Sequence, residues 1–339
     1  MEARIAAIWY KEGERQLDSG EVKRAVDSFR KATTNAPGNR TYTLALANAL
    51  ARDNHDAEAQ LILLRLRESD PENAQFNLYL ARLVAKRGEI SDTVRYYQNA
   101  LYGRWTGGQV DEGKRQIRTE LIAFLLAHHE HNMALSELLI LESDLPESAA
   151  AHEQVAQLFL QAGDLHYALK NYALAAQFDP TDVSALAGAG EAAFRLGDYA
   201  KAYQCLEAAL GLDPNSETTR KLLSVTEMVL AGDPLAPHLT KEERQRRLLL
   251  NFGQSQQRLE SCLSQISDDE RNAALRSLKD QALTMETKLH SRHLSDSELA
   301  RSAVELIYQI EKAASVACGE PEGLDQALLL IGVKHGGGQ

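Results

Sequence analysis

Three cysteines in 339 residues, Cys205, Cys262 and Cys318, are too few for a disulfide framework, and none stands in a CxxC pair. They read as buried or half-buried thiols, a Cys262–Cys318 bridge being reasonable only in an exported protein. Aromatic residues are 6% of the chain and the eight prolines are sparse and spread, which argues against a sandwich or barrel. An all-helical protein rich in Ala and Leu fits instead. The longest apolar stretches, such as residues 121–127, fall far short of the roughly 20 residues that cross a bilayer, so no membrane span is expected. Basic residues are in deficit, 37 against 48 acidic, and the net charge of −11 argues against a nucleic-acid or anionic-membrane surface. The N-terminus lacks the basic start and apolar run of a signal peptide, so the chain as written reads as cytoplasmic. Patterned helix begins almost at residue 1, which leaves a periplasmic or membrane-anchored protein with a trimmed leader as the alternative. With 44% apolar and 25% charged residues, the chain can bury a substantial core, in about two domains.

What the chain has in abundance is self-similarity. The stretch from Gly197 to Pro214, GDYAKAYQCLEAALGLDP, has a near-double in GDLHYALKNYALAAQFDP, Gly163 to Pro180, 34 residues upstream. The same ruler lays out six windows, 6–39, 40–73, 74–107, 115–148, 149–182 and 183–216, in register apart from a seven-residue insertion at 108–114. The eighth place holds Gly13, Ala47, Ala81, Ile122, Ala156 and Gly190, and the twentieth Ala25, Ala59, Thr93, Ala134, Ala168 and Ala202. Small residues there let two antiparallel helices approach, so each window predicts a helical hairpin. Large side chains at the twenty-fourth place, Phe29, Tyr97, Tyr172 and Leu206, are suited to plug the groove between helices. The fifteenth place, where the hairpin turns, holds Gly20, Asn54, Gly88, His129, Gly163 and Gly197, which points to a positive φ or a polar cap. Proline at the thirty-second place, Pro37, Pro71, Pro146, Pro180 and Pro214, ends the second helix; only the third window departs, with Trp105.

This pattern resembles the tetratricopeptide repeat, whose period is 34 residues, over residues 6–216. Trp9 and Gly13 match the family's Trp and Gly in the first window. The resemblance implies an all-α fold: an α-solenoid of six hairpins wound as a right-handed superhelix, the first helix of each pair lining a concave groove.

After Pro214 the period fails. Residues 217–232 read as one amphipathic helix capping the solenoid. A small helical bundle is expected over 240–332, its starts marked by capping boxes at Thr240 with Glu243, Ser267 with Glu270, and Ser295 with Glu298. These predict helices at about 241–265, 269–290 and 296–317, with a shorter one at 323–332 and a disordered tail at 333–339. The region resembles only C-terminal segments of bacterial repeat proteins, which carry no function across. Its apolar residues, among them Leu248, Leu249, Leu250 and Leu299, read as core.

Candidate chemistry is thin. Gly108, Gly113 and Lys114 have the spacing of a phosphate-binding loop, but Arg115 stands where Mg²⁺ needs a Ser or Thr, and no strand precedes them. His128, His129 and His131 fall on a hairpin turn and offer no i, i+4 metal pair. The KEERQRR run at 241–247 reads as the charged first turns of a helix. No nucleophile elbow, HExxH or dinucleotide fingerprint appears, so no catalytic residue, cofactor or metal is assigned.

The family resemblance places the groove at places two, five, nine, twelve and thirteen of each window. There stand Asn48, Arg52, Arg82 and Lys86, a basic, amide-bearing patch suited to an acidic peptide or carboxylate, and further along Gln157 and Glu191. Family members that grip chaperone tails carry a Lys, Arg and Asn clamp at places held here by Tyr10, Glu14, Ala45, Gln75 and Tyr79, so that clamp is absent. The expectation is a non-enzymatic scaffold binding a peptide or helix of a protein partner. A recruitment module for a catalytic or ligand-binding C-terminal region, or an envelope assembly factor, are the alternatives; oligomeric state is open.

Overall fold

The computed structural model describes residues 2–105, 110–266, 270–290 and 297–336, and among these the regular structure is helix, seventeen of them, without a strand. The chain divides into two compact units, residues 1–145 with 161–163, and residues 146–160 with 164–339.

The first unit holds α1 (Glu2–Asp18), α2 (Val22–Asn35), α3 (Arg40–Arg52), α4 (Asp56–Ser69), α5 (Ala74–Ala85), α6 (Ile90–Tyr102), α7 (Val110–Ala127) and α8 (His131–Glu142). Each packs on the next, so every contact is local in sequence, as in a repeat array. The hairpins close because small faces large: a Cβ placed on Gly13 would sit 2.7 Å from Phe29 Cε1. Ala25, Ala59 and Ala134 are wholly buried at the matching positions of the second helices. The turns need the left-handed backbone at every fifteenth place, including the two that lack glycine: Asn54 has φ +60° and His129 φ +61°. Asn39 and Asn73 start α3 and α5 by accepting backbone N–H groups at their side chains, each such cap contributing about 1 kcal/mol.

The third hairpin ends without proline, and a different device takes over. Ala74 N–H donates to Arg104 O at 3.1 Å and Arg104 N–H to Glu72 O at 2.8 Å, tying the segment after α6 to the start of α5. Trp105 Nε1 donates back to Ala100 O at 2.9 Å, and Gly103 leaves the space in which a Cβ would stand 2.7 Å from Glu72 O.

The second unit holds all but the last turn of α9 (Ala149–Ala162), and α10 (Leu165–Phe178), α11 (Val183–Arg195), α12 (Tyr199–Leu212), α13 (Glu217–Gly232), α14 (Lys241–Gln265), α15 (Glu270–His290), α16 (Ser297–Cys318) and α17 (Gly323–Lys334). The small-against-large rule recurs: a Cβ on Gly190 would meet Leu206 Cδ2 at 2.6 Å, and Ala168 and Ala202 are wholly buried. α13 packs on α12 and on α17, while α16 packs on α14, α15 and α17. Leu248, Phe252, Ser255, Leu259 and Cys262 alternate by four and three along α14, the seam of helices packed at a shallow angle, and all are buried. Leu275, Ala282 and Leu289 of α15 and Ala303, Ile307, Ile310 and Ala314 of α16 complete the core. Each fully buried Leu, Ile or Phe contributes about 1.5–3 kcal/mol.

Three sequence expectations change here. α17 runs through Lys334, two residues into the stretch read as tail, because Lys334 Nζ (2.9 Å) and His335 Nε2 (2.9 Å) are held by the buried carboxylate of Asp233. Burial alone would raise the Asp233 pKa, but the hydrogen bonds from Lys334, His335 and Leu235 N–H outweigh it and hold the group below its ordinary value. Only half the first capping box forms: Thr240 Oγ1 accepts from Glu243 N–H at 3.2 Å, whereas the Glu243 carboxylate is taken by Arg246 and Arg247, which pull its pKa down to about 2. Cys262 and Cys318 are not free thiols but a disulfide, Cα atoms 5.8 Å apart, while Cys205 is a buried thiol. Ser267 and Ser295, read as the other caps, lie outside the described residues, as do residues 337–339 of the tail.

Candidate functional site

In the first unit, α3 and α5 present the side chains of places nine and thirteen to one open cavity of about 320 Å³, lined by Asn48, Arg52, Asn54, Tyr79, Arg82 and Lys86. The four residues read from the sequence as a patch do converge, but their charges are not equally available. Arg82 is clamped by Glu120 of α7 through two hydrogen bonds, Nε to Oε2 at 2.9 Å and Nη2 to Oε1 at 2.7 Å. Tyr97 donates its hydroxyl to the same carboxylate at 3.4 Å; burial, then the charge of Glu120, push that hydroxyl's pKa up. Lys86 Nζ donates to Ala51 O at 2.7 Å and to Asp56 Oδ1 at 3.1 Å. Arg52 is exposed and has no ion-pair partner among the described residues, and the half-buried amide of Asn48 has no internal hydrogen-bond partner there either. The unpaired Arg52 guanidinium and Asn48 amide therefore face the same space, with the Tyr79 ring and the turn residue Asn54 beside them.

The other two candidates belong to the second unit. Gln157 is exposed on α9. Glu191 of α11 pairs weakly with Arg195 one turn on, at 3.7 Å, at the mouth of a cavity of about 390 Å³ floored by Phe194, Leu222 and Val225. Gln326 of α17 reaches the same cavity, so the C-terminal helices help build it.

The weaker motifs resolve into structure. Gly113, Lys114 and Arg115 lie inside α7, where no loop cradles a phosphate, and Gly108 is outside the described residues. His128 packs against Phe124 with ring centroids 4.2 Å apart and planes tilted by 34°, and His129 takes the turn. Among the described residues no group of three His, Cys, Asp or Glu side chains could hold a metal ion. No helix among them is long and apolar enough to cross a membrane.

One cluster escaped the sequence reading. Arg258 of α14 donates from Nη1 to Asp325 Oδ2 at 3.1 Å and from Nη2 to Gly319 O at 2.9 Å, and its Nε lies 3.2 Å from Glu311 Oε2. Glu311 is wholly buried on α16 and neither carboxylate oxygen has a hydrogen-bond partner among the described residues. Burial, then the charge of Asp325, push its pKa up to about 8. The signal was there: Glu311 follows Ile307 by four and precedes Ala314 by three, on the apolar stripe of its helix.

Comparison with known proteins fits this geometry. Tetratricopeptide-repeat family models match residues 10–63 and 183–216. These two stretches are tetratricopeptide repeats. No curated protein matches it significantly. Among solved structures, the C-terminal part of a TPR repeat-containing protein from Cytophaga hutchinsonii is similar at 10% identity and TM-score 0.50, over 70% of this chain and 92% of that one. PilF of Pseudomonas aeruginosa is similar at 16% identity and TM-score 0.45, over 65% and 96%. YrrB, described as a TPR protein with an unusual peptide-binding site, is similar at 18% identity and TM-score 0.45, over 57% and 97%. TPR proteins are in general non-enzymatic interaction scaffolds, and this chain shares their all-α repeat architecture.

Proposed function

We propose that this TPR protein is a non-enzymatic scaffold that holds an extended segment of a protein partner on the first-helix faces of its repeats, gripping it at Asn48 and Arg52. The observation that carries the reading is a cavity in which Asn48 and Arg52 have no internal side-chain partner among the described residues while Arg82 and Lys86 are held by Glu120 and Asp56. An amide with free donor and acceptor suits a peptide backbone, and an unpaired guanidinium suits one carboxylate, which makes an acidic segment the favoured occupant. Gln157 and Glu191 are the corresponding contacts proposed on the second unit. The test is affinity purification with quantitative mass spectrometry on the full chain and its Asn48→Ala/Arg52→Glu variant. The variant is expected to lose its acidic partners; an unchanged partner set overturns the reading.

The polar cavity beside Arg258, Glu320 and Asp325 favours, as a second reading, a C-terminal bundle with a binding role of its own. The disulfide supports placing the chain in an oxidising, exported compartment rather than the cytoplasm.

A further inference from the structure

The Cys262–Cys318 disulfide is not sealed in the core. Cys262 is 3% exposed, but Cys318, the last residue of α16, is exposed, and both line an open cavity of about 300 Å³. Thiol–disulfide exchange needs a path for a thiolate to one sulfur and an environment that accepts negative charge on the other. The cavity gives the path to Cys318. For the departing sulfur, Arg258 stands one helical turn before Cys262 and lines the same cavity.

The charges around Arg258 come from three helices and the α16–α17 connection. Asp325 of α17 accepts from its Nη1, Glu311 of α16 lies against its Nε, and Glu320 lines the cavity. Because its burial keeps Glu311 protonated at neutral pH, only Asp325 among the groups contacting Arg258 offsets the guanidinium there. A thiolate formed at Cys262 would thus have one helical turn away a guanidinium that Glu311 does not neutralise, while the open side of the bond is Cys318.

We propose that the Cys262–Cys318 disulfide is an exchangeable redox site whose substrate is a dithiol protein or a small thiol attacking Cys318 Sγ from the cavity. The incoming thiolate forms a bond to Cys318 Sγ; the Cys262–Cys318 bond breaks, and its electron pair leaves on Cys262 Sγ as a thiolate. The second thiolate of a dithiol donor, or a second molecule of a small thiol, then attacks the donor sulfur of the mixed disulfide, releasing Cys318 as a thiolate. Both cysteines take protons from water, the donor ends as a disulfide, and two electrons have passed to this chain. Opening frees the C-terminal end of α16, held besides by the Arg258–Gly319 hydrogen bond, from α14.

The test uses the oxidised full chain in native buffer with reduced glutathione, then with dithiothreitol, alkylation of free thiols and peptide mapping by mass spectrometry. Glutathione is expected on Cys318 and not on Cys262, with dithiothreitol opening the bond while the far-ultraviolet circular dichroism stays native. In single variants, the Cys262→Ser chain should react with a disulfide probe at Cys318 about tenfold or more faster than the Cys318→Ser chain does at Cys262. A bond that opens only after denaturation, or glutathione found chiefly on Cys262, overturns the proposal and leaves a structural staple.

Discussion

Arg82 and Glu120, 38 residues apart, meet in two parallel hydrogen bonds of 2.9 and 2.7 Å across neighbouring repeats. One of the two guanidiniums in the candidate groove is thereby neutralised before any partner arrives. Both side chains are partly exposed, so solvent screens the pair, and Arg82→Ala is expected to cost at most about 1 kcal/mol in chemical denaturation. Glu120→Gln should release the guanidinium and strengthen capture of acidic segments. A larger stability loss for Arg82→Ala would mean that the pair holds the repeats together.

Ala202 is wholly buried where α12 meets α11, with no room for a longer side chain. Ala202→Leu should lower stability by about 1–3 kcal/mol through overpacking, read as a lower thermal midpoint. Ala168→Leu should behave alike. An unchanged midpoint would remove the twentieth place from the list of close approaches.

His129 holds φ +61° with a side chain that pays for a left-handed backbone. Glycine meets no such penalty, so His129→Gly is expected to stabilise the first unit by about 0.5–1 kcal/mol despite the greater freedom of its unfolded chain. Urea titration decides it, and destabilisation would show that the imidazole makes a contact worth more than the strain.

Glu311 gives a pH signature. Its folded pKa of about 8 lies above the ordinary 4.5, so between those values the folded chain keeps a proton that the unfolded chain has released. Stability should therefore fall as pH rises from about 4.5 to about 8, by up to about 1.4 kcal/mol per pH unit. Glu311→Gln, neutral throughout, should flatten that part of the profile. Denaturation midpoints of both chains across the range make the check, and parallel curves would count against a protonated Glu311.

The repeat architecture was legible because it is written in backbone chemistry. Gly20, Gly88, Gly163 and Gly197 announce positive φ, Asn54 is the expected substitute, and the prolines announce helix ends. The eighth and twentieth places were legible because a small residue has few reasons to recur at a fixed interval other than close approach. The site was half legible. Places nine and thirteen brought Asn48, Arg52, Arg82 and Lys86 to one cavity, yet no local pattern foretold that Glu120 would neutralise Arg82, since that depends on the neighbouring repeat's sixth place. The disulfide was hidden for the same reason: 56 residues separate its halves, and two cysteines without a motif do not state whether they meet. Glu311 could have been found as a carboxylate on an apolar stripe.

The knot between Glu72, Ala74 and Arg104 makes the third hairpin a closed ring, its entry and exit segments fastened to one another rather than to the next repeat. Any chain spliced in after Trp105 pulls on that fastening and not on α5 or α6. Lengthening a loop costs only about 0.6 kcal/mol per doubling. A reporter or epitope tag placed between Trp105 and the start of α7 at Val110 is thus expected to leave the first three repeats folded.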